Sequence, residues 1–190
     1  MLGDALSGAL NGGEIDGHGS ERRSGLSFIV GSIGLAHIKH LLIVYHTQTG
    51  NTRAMAGAVR DGATDSLIEE VETRFLMARD AGPDDLLWAN GVLLGTPENF
   101  GYMSGAMKDF LDRTFYPVEG RIAPLPCGIF ISAGNDGSGA LRAMRRIIGG
   151  YPLSEVQEPV IAQGAVLPEH LQACRDLGMA LAAGLEAGIY

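Results

Sequence analysis

Three clusters of hydroxylated and glycine residues each follow an apolar run, and these clusters are the parts of the chain that could do chemistry. The first is "HTQTGNT", from His46 to Thr52. Its threonine hydroxyls and successive backbone N–H groups, placed where a helical pattern begins, favour an anion, and the helix dipole adds to that preference. The loop has no lysine, so it is not the loop that holds nucleoside triphosphates. It predicts a site for a single phosphate monoester, and the alternative is an ordinary helix cap by Thr49.

The second cluster combines glycine with exposed aromatic residues, in "GTPENFGYMSGAMKDFLDRTF" from Gly95 to Phe115. Phe100 and Tyr102 flank Gly101 directly after a strand-like run. Two aromatic rings at such a place could stack on or flank a flat ligand. Gly101 would let a peptide group rotate toward the edge of that ligand. The alternative is that both rings pin the loop onto the core.

The third cluster is "SAGNDGSGAL", from Ser132 to Leu141, which is rich in glycine. Such a loop can bring backbone N–H groups close to the carbonyls of a planar ligand. The glycine order is G-x-x-G-x-G, so it is not the G-x-G-x-x-G fingerprint of dinucleotide-binding domains. The alternative is a glycine-rich turn in which Asp136 or Ser138 caps the next helix.

The elements that must position these loops alternate along the chain. Five apolar runs of strand length, at 41–46, 71–77, 91–96, 127–133 and 159–165, alternate with amphipathic stretches at Arg53–Ser66, Pro83–Ala89, Ser104–Phe115, Gly139–Gly149 and Pro168–Ala187. This alternation predicts an α/β fold with a parallel sheet. The first, third and fourth runs are apolar almost throughout, which is typical of central strands, whereas 71–77 alternates like an edge strand. Ligands of such sheets bind beyond the carboxyl ends of the strands, where the three loops lie.

Together the loops resemble those of the flavodoxin-like FMN-binding family. Residues 47–52 match its (S/T)-x-T-G-x-T phosphate loop. The segment from Gly95 to Asp112 is similar to the second loop and helix of NAD(P)H-dependent FMN reductases and NAD(P)H:quinone reductases. The resemblance covers roughly residues 40–165. It implies a three-layer flavodoxin-like α/β fold, with a five-stranded parallel sheet in the order 2-1-3-4-5 and helices on both faces.

The resemblance also implies FMN as the cofactor and assigns residues to it, while no side chain is assigned a catalytic role and no metal is expected. His46 could touch the phosphate or ribityl chain, or could be a packed residue at the strand end. The residues implied to bind FMN are Thr47, Gln48, Thr49, Gly50, Asn51 and Thr52 in the first loop, Thr96, Pro97, Glu98, Asn99, Phe100 and Gly101 along the isoalloxazine, and Ser132, Ala133 and Gly134 in the third loop.

By the same resemblance, the chain is expected to be an NAD(P)H-dependent oxidoreductase that passes electrons to a quinone or another small acceptor. The alternative is a flavodoxin-type carrier that serves a redox protein. The third loop has no aromatic residue between Ser132 and Leu141, and the long insertion of long-chain flavodoxins is absent, which favours the reductase. Related reductases often complete the flavin site across subunits, so a homodimer or homotetramer is expected.

A flavin-free phospho-receiver of the same fold is disfavoured, because it needs an acidic cluster where this chain has Tyr45-His46-Thr47. Three helix arginines could meet an NADPH phosphate or form a solvated face: Arg142, Arg145 and Arg146.

Charge and cysteine content limit the partners and the compartment. A net charge of −8 with no block of like sign argues against nucleic acid and anionic membrane surfaces. Cys127 and Cys174 are too few and too far apart for a disulfide scaffold or metal motif, so both are expected to be buried free thiols.

No apolar stretch reaches the ~18 residues of a membrane span, and the run 26–38 lacks a clear signal-peptide cleavage site. A cytoplasmic protein is expected.

The glycine- and serine-rich residues 1–38 show no lasting hydrophobic period. They are predicted to be a mobile extension, with a docking tail as the alternative, and residues 39–190 are predicted to be the domain.

Overall fold

A computed structural model describes residues 37–190 of the chain. The predicted extension at residues 1–38, together with its apolar run, lies outside the described residues except for its last two positions. Its boundary with the domain stays a prediction. The elements in chain order are β1 (Lys39–Tyr45), α1 (Asn51–Ala63), β2 (Val71–Met77), α2 (Pro83–Trp88), β3 (Gly91–Asn99), β4 (Tyr102–Met103), α3 (Gly105–Val118), β5 (Leu125–Ala133), α4 (Ser138–Ile148), β6 (Leu153–Glu155), β7 (Val160–Gln163) and α5 (Pro168–Glu186).

The sheet confirms the predicted α/β class and strand order. Its strands run β2-β1-β3-β5-β6, and β1, β2, β3, β5 and β6 pair in parallel. The three runs that are apolar throughout become β1, β3 and β5 in the centre, because only fully covered strands can be apolar on both faces. The alternating run becomes β2 at one edge.

The fifth predicted strand is divided in two. The short β6 pairs with the first part of β5, from Leu125 to Cys127, and β7 pairs with its last part, from Phe130 to Ala133. The sequence prediction located β7 but not β6, since "LSE" is too short to show a period. Pro159 begins the predicted run but cannot donate a ladder hydrogen bond, so the strand itself starts at Val160.

Helices cover both faces of the sheet, because successive side chains of a strand point to opposite sides. Leu42 and Val44 of β1 join the core beneath α2, α3 and α4, whereas Leu41 and Ile43 join the core beneath α1 and α5. The α1–α5 pair crosses closely, since a Cβ added to Gly178 would lie 1.9 Å from the carbonyl oxygen of Val59. Along residues 37–190, no helix has the length and apolar character needed to cross a bilayer.

Both cysteines are free thiols in the core, as predicted. Cys127 on β5 and Cys174 on α5 are fully buried. Burial raises the pKa of each thiol to about 12, because a thiolate would lose its hydration, and the nearby Glu155 carboxylate raises the pKa of Cys127 further.

Candidate functional site

The three predicted loops meet at the carboxyl edge of the central strands. They enclose an open cleft with a volume of about 210 Å³. The juxtaposition follows from the parallel sheet, in which β1, β3 and β5 are neighbours and all end at the same edge. The residues that line the cleft are Gln48, Thr49, Asn51, Pro97, Glu98, Asn99, Ser132, Ala133, Gly134 and Gly164.

The N-terminus of α1 presents backbone donors that have no partner in the described part of the chain. The N-cap residue is Gly50, with a φ of 103°, and no side chain of residues 37–190 caps the helix. The first intrahelical bond runs from the N–H of Ala54 to the carbonyl of Gly50, so the three preceding amides, at residues 51–53, stay free among residues 37–190. The alternative in which Thr49 caps the helix is therefore wrong. Only glycine adopts the left-handed turn at position 50 without strain.

Two threonines of the first loop hold its shape by hydrogen bonds, while the third stays accessible. The Thr47 hydroxyl accepts a hydrogen bond from the N–H of Gly50 at 3.1 Å, which holds the turn. The Thr52 hydroxyl is buried and lies 2.7 Å from the Ser132 hydroxyl of the third loop. Gln48 and Thr49 are exposed and line the cleft. The loop thus keeps one exposed threonine hydroxyl beside the free amides.

The second loop is a tight antiparallel hairpin that the sequence did not predict. Beyond the sheet, β3 continues to Asn99 and pairs with Tyr102 and Met103 of β4. The two residues of its turn, Phe100 and Gly101, have φ of 53° and 71°. Positive φ at both central residues is typical of a type I′ turn, which normally selects Asn or Gly.

The Phe100 side chain is fully exposed at the tip of this hairpin, and Tyr102 is 44% exposed. The alternative in which both rings pin the loop onto the core is therefore wrong. A positive φ at a bulky residue destabilises the folded chain, and so does the exposure of its apolar ring to water. Residues held in this way are a common feature of ligand-binding loops.

Thr96 has a different role from the predicted one. It has no exposed surface, and its hydroxyl accepts a hydrogen bond from the N–H of Ser104 at 2.9 Å and lies 2.9 Å from the Pro97 carbonyl. The prediction that Thr96 lines a flat ring is corrected, because this residue fixes the base of the hairpin. Pro97, Glu98 and Asn99 line the cleft in its place.

The Glu98 carboxylate joins the second loop to the third. Its Oε1 accepts hydrogen bonds from the N–H groups of Gly139 and Ala140, at 3.1 and 3.2 Å, at the N-terminus of α4. A Cβ on Gly139 would lie 2.1 Å from the carbonyl oxygen of Gly101, so this position requires glycine. The N-terminus of α4 is thus already occupied by a carboxylate, whereas that of α1 is open.

Asp136 organises the third loop without being the N-cap, which is Gly137. Its carboxylate accepts hydrogen bonds from the N–H and the hydroxyl of Ser138, at 3.0 and 2.8 Å. These two bonds, the backbone one first, hold the pKa of Asp136 below its usual range. The predicted glycine-rich turn is therefore present, but neither Asp136 nor Ser138 is the N-cap of α4, and their side chains bond to each other.

His46 does not line the cleft. Its backbone N–H donates to the carbonyl of Gly95, and its ring Nδ1 is buried without a partner among residues 37–190. Burial lowers the pKa of the imidazole, which favours the neutral ring. These observations support the packed strand-end interpretation of this histidine.

One lining residue, Gly164, was missed by the sequence prediction. It follows β7 with a φ of 72°, and its N–H donates to the carbonyl of Ala133 at 2.7 Å. The "GA" pair at the end of the fifth apolar run could have indicated it, since glycine at a strand end often marks a turn.

Comparisons with known proteins agree with this geometry. The sequence model described as NADPH-dependent FMN reductase matches residues 83–164. A protein named flavodoxin, from Aquifex aeolicus (strain VF5), is 34% identical over 158 residues, which are 75% of this chain and 84% of the relative. A protein named NAD(P)H dehydrogenase (quinone), from Acidithiobacillus ferrooxidans, is 31% identical over 121 residues, which are 54% of this chain and 60% of the relative.

Solved structures show the same fold at lower identity. An archaeal flavodoxin superposes with a TM-score of 0.67 at 23% identity, covering 77% of this chain and 99% of the other. A flavodoxin, WrbA-like protein from Agrobacterium tumefaciens superposes with a TM-score of 0.64 at 22% identity, covering 79% of this chain and 98% of the other.

Proposed function

Because the chain belongs to the flavodoxin-like FMN-binding family, we propose that it binds FMN in the cleft between its three loops and acts as an NAD(P)H-dependent oxidoreductase. The electrons pass to a quinone or another small acceptor. Bound FMN supplies the hydride and electron chemistry, and the protein supplies binding, orientation and the local electrostatics. The family model and the quinone-dehydrogenase relative support the enzyme.

The open N-terminus of α1 is the observation that carries this proposal. One corner of the cleft brings together the positive end of a 13-residue helix, the exposed Thr49 hydroxyl and three amides that have no partner among residues 37–190. This donor set fits a terminal phosphate, because backbone N–H groups at a helix end bind anions without a cationic side chain. Thr47 and Thr52 hold the loop in the required shape.

The remainder of the cleft fits a flat ring held at its edges. Pro97, Glu98 and Asn99 form one side, and Ala133 and Gly134 form the other. Since Glu98 is engaged with α4, its carboxylate fixes the hairpin in place. The exposed ring of Phe100 stands at the hairpin tip, where it would border the bound isoalloxazine.

A flavodoxin-type electron carrier without its own substrate is the second candidate function. It is favoured by the relative named flavodoxin, which has the highest identity and coverage of the relatives compared above. The carrier would hold FMN with the same residues, so only the use of NAD(P)H distinguishes the two functions.

Two measurements on the purified full chain test these functions. Absorbance near the flavin band reports whether the protein carries or takes up FMN, and a protein that stays colourless with added FMN would contradict both functions. Anaerobic mixing of the loaded protein with NADPH or NADH then separates them. Bleaching by either donor supports the enzyme, while a loaded protein that neither donor bleaches is a carrier.

The partners follow from the same proposal. The open cleft suits a small acceptor such as a quinone, and a redox protein is the partner expected of a carrier. A homodimer or homotetramer remains the expected assembly, and the expected compartment is the cytoplasm, where NAD(P)H is available.

A further inference from the structure

A second cavity lies between the C-terminal halves of α3 and α4. We call it the α3–α4 groove, and its volume is about 370 Å³. Tyr116 is 79% exposed beside it, and Tyr151 is a buried lining residue whose hydroxyl lies 2.9 Å from that of Thr114. The lining combines aromatic and aliphatic surface with the Arg146 guanidinium and with the Asp112 carboxylate, which is paired with Lys108. Its other main members are Leu111, Phe115, Tyr116, Ile147 and Tyr151.

The three arginines of α4 differ in their partners. Arg145 forms a bidentate ion pair with Glu155, at 2.7 and 2.8 Å. Arg142 and Arg146 are exposed, and neither has a carboxylate within 4.0 Å along residues 37–190. They stand four residues apart, and like charges at that spacing destabilise a helix. Arg142 interacts electrostatically with Asp136, but neither guanidinium forms an ion pair among residues 37–190, so both can bind an anionic ligand in a chain whose net charge is −8.

The helix geometry connects these arginines to the cleft. The N-terminus of α4 is fastened to the cleft by Glu98, which lines it. With a rise of about 1.5 Å per residue, Arg142 lies roughly 6 Å and Arg146 roughly 12 Å along the axis from Ser138. The charge of Arg142 acts on Asp136 near the cleft end of α4, whereas Arg146 lines the α3–α4 groove. An extended ligand that starts in the cleft would pass Arg142 first and then reach the α3–α4 groove.

We propose that Arg142, Arg146 and the α3–α4 groove bind the adenosine half of NADPH. The proposal rests on the function proposed above. Arg142 contacts the pyrophosphate, Arg146 contacts the 2′-phosphate that distinguishes NADPH from NADH, and the adenine stacks on Tyr116. A guanidinium suits a phosphate because of its planar fork of donors, and an aromatic ring suits a nucleobase.

Three electron donors separate the parts of this proposal: NADPH, NADH, and reduced nicotinamide mononucleotide, which lacks the adenosine half. The KM of the FMN-loaded protein is expected to be lowest for NADPH and highest for the mononucleotide. Arg146→Ala should raise the KM for NADPH about tenfold, the size of one charge-assisted contact, and leave that for NADH unchanged. Arg142→Ala and Tyr116→Ala should raise the KM for both dinucleotides and leave that for the mononucleotide unchanged.

Arg60→Ala, an exposed arginine on α1, is the matched control and should change none of these values. Equal KM values for the three donors in the unmodified protein would overturn the groove assignment and leave the proposed function standing. The groove assignment would also be overturned if the variants changed all three KM values alike and altered the oligomeric state in size-exclusion chromatography. The groove would then be a subunit interface. If no donor bleaches the flavin, both proposals fail.

Discussion

The hydroxyl oxygens of Thr52 and Ser132 lie 2.7 Å apart, although 80 residues separate them in the chain. Both side chains are buried, so each hydroxyl satisfies the other. The contact joins the start of α1, where the free amides lie, to the end of β5. It fixes the shape of the corner of the cleft that we propose to bind the FMN phosphate.

Removal of either hydroxyl should destabilise the protein. We expect Thr52→Val or Ser132→Ala to lower the free energy of unfolding by about 1–3 kcal/mol, since each leaves a buried hydroxyl without a partner. The double variant should lose less free energy of unfolding than the two single variants together, because it leaves no buried hydroxyl without a partner. Urea denaturation of the four proteins measures this, and strictly additive losses would contradict the coupling.

Thr49→Val should weaken FMN binding without affecting stability. The substitution removes the exposed hydroxyl beside the free amides at nearly constant volume. One lost hydrogen bond corresponds to about 1 kcal/mol, or roughly a fivefold rise in the Kd for FMN. Quenching of flavin fluorescence measures it. Thr64→Val, at the far end of the same helix, is the control and should leave the Kd unchanged. An unaltered Kd in Thr49→Val would remove this residue from the site.

Glu98→Ala should destabilise α4 and loosen the hairpin. The variant leaves the amides of Gly139 and Ala140 without their acceptor and removes a negative charge from a helix N-terminus. We expect a loss of about 1–2 kcal/mol in the free energy of unfolding. Glu98→Gln keeps an acceptor and should lose less. Thermal denaturation followed by circular dichroism compares them, and equal stability of all three proteins would rule out the capping role.

Phe100→Asn should stabilise the apoprotein and weaken cofactor binding. Asn tolerates the positive φ of this turn position, so about 1 kcal/mol of backbone strain should be relieved. Loss of the exposed ring should at the same time raise the Kd for FMN. Phe100→Leu is the control, since it keeps the strain and should bring no gain in the free energy of unfolding. A gain in both variants would show that strain is not the cause.

The buried thiols should make the fold sensitive to alkali. Burial raises the pKa of Cys127 and Cys174 to about 12 in the folded state, above the ordinary value near 9. The contribution of the two thiols to the free energy of unfolding is therefore fully present below about pH 9 and is lost as the pH rises toward 12. In that window, the ionisation of each thiol should lower the free energy of unfolding by up to about 1.4 kcal/mol per pH unit. Urea denaturation between pH 7 and 10.5 measures the decline.

The double variant Cys127→Ala, Cys174→Ala supplies the comparison for this decline. It lacks both thiols, so its stability should fall less steeply above pH 9 than that of the unmodified chain. Parallel declines in the two proteins would mean that other groups, such as the tyrosines, account for the alkaline loss.

Much of the fold could be predicted because its signals are local. The apolar runs of β1, β3 and β5 and the amphipathic stretches between them specify element type by their periods. Parallel pairing then brings the loops at residues 47–52, 96–101 and 132–134 to one edge. The missing lysine of the first loop and the glycine at position 50 indicated an anion site, and both are features of the sequence itself.

The tertiary structure alone decided how those loops are held. Nothing near Glu98 in the chain shows that its carboxylate caps a helix 41 residues later. Nor does the local sequence show that Thr96 is buried and accepts a hydrogen bond from Ser104. Arg145 pairs with Glu155, ten residues later, whereas the adjacent Arg146 has no carboxylate within 4.0 Å among residues 37–190. A hydrogen bond or ion pair is set by which groups meet in space, and that depends on how the strands are ordered and not on any one segment. The sequence thus determined where the proposed ligand site lies, and the folded chain determined which polar groups of residues 37–190 are left to bind a ligand there.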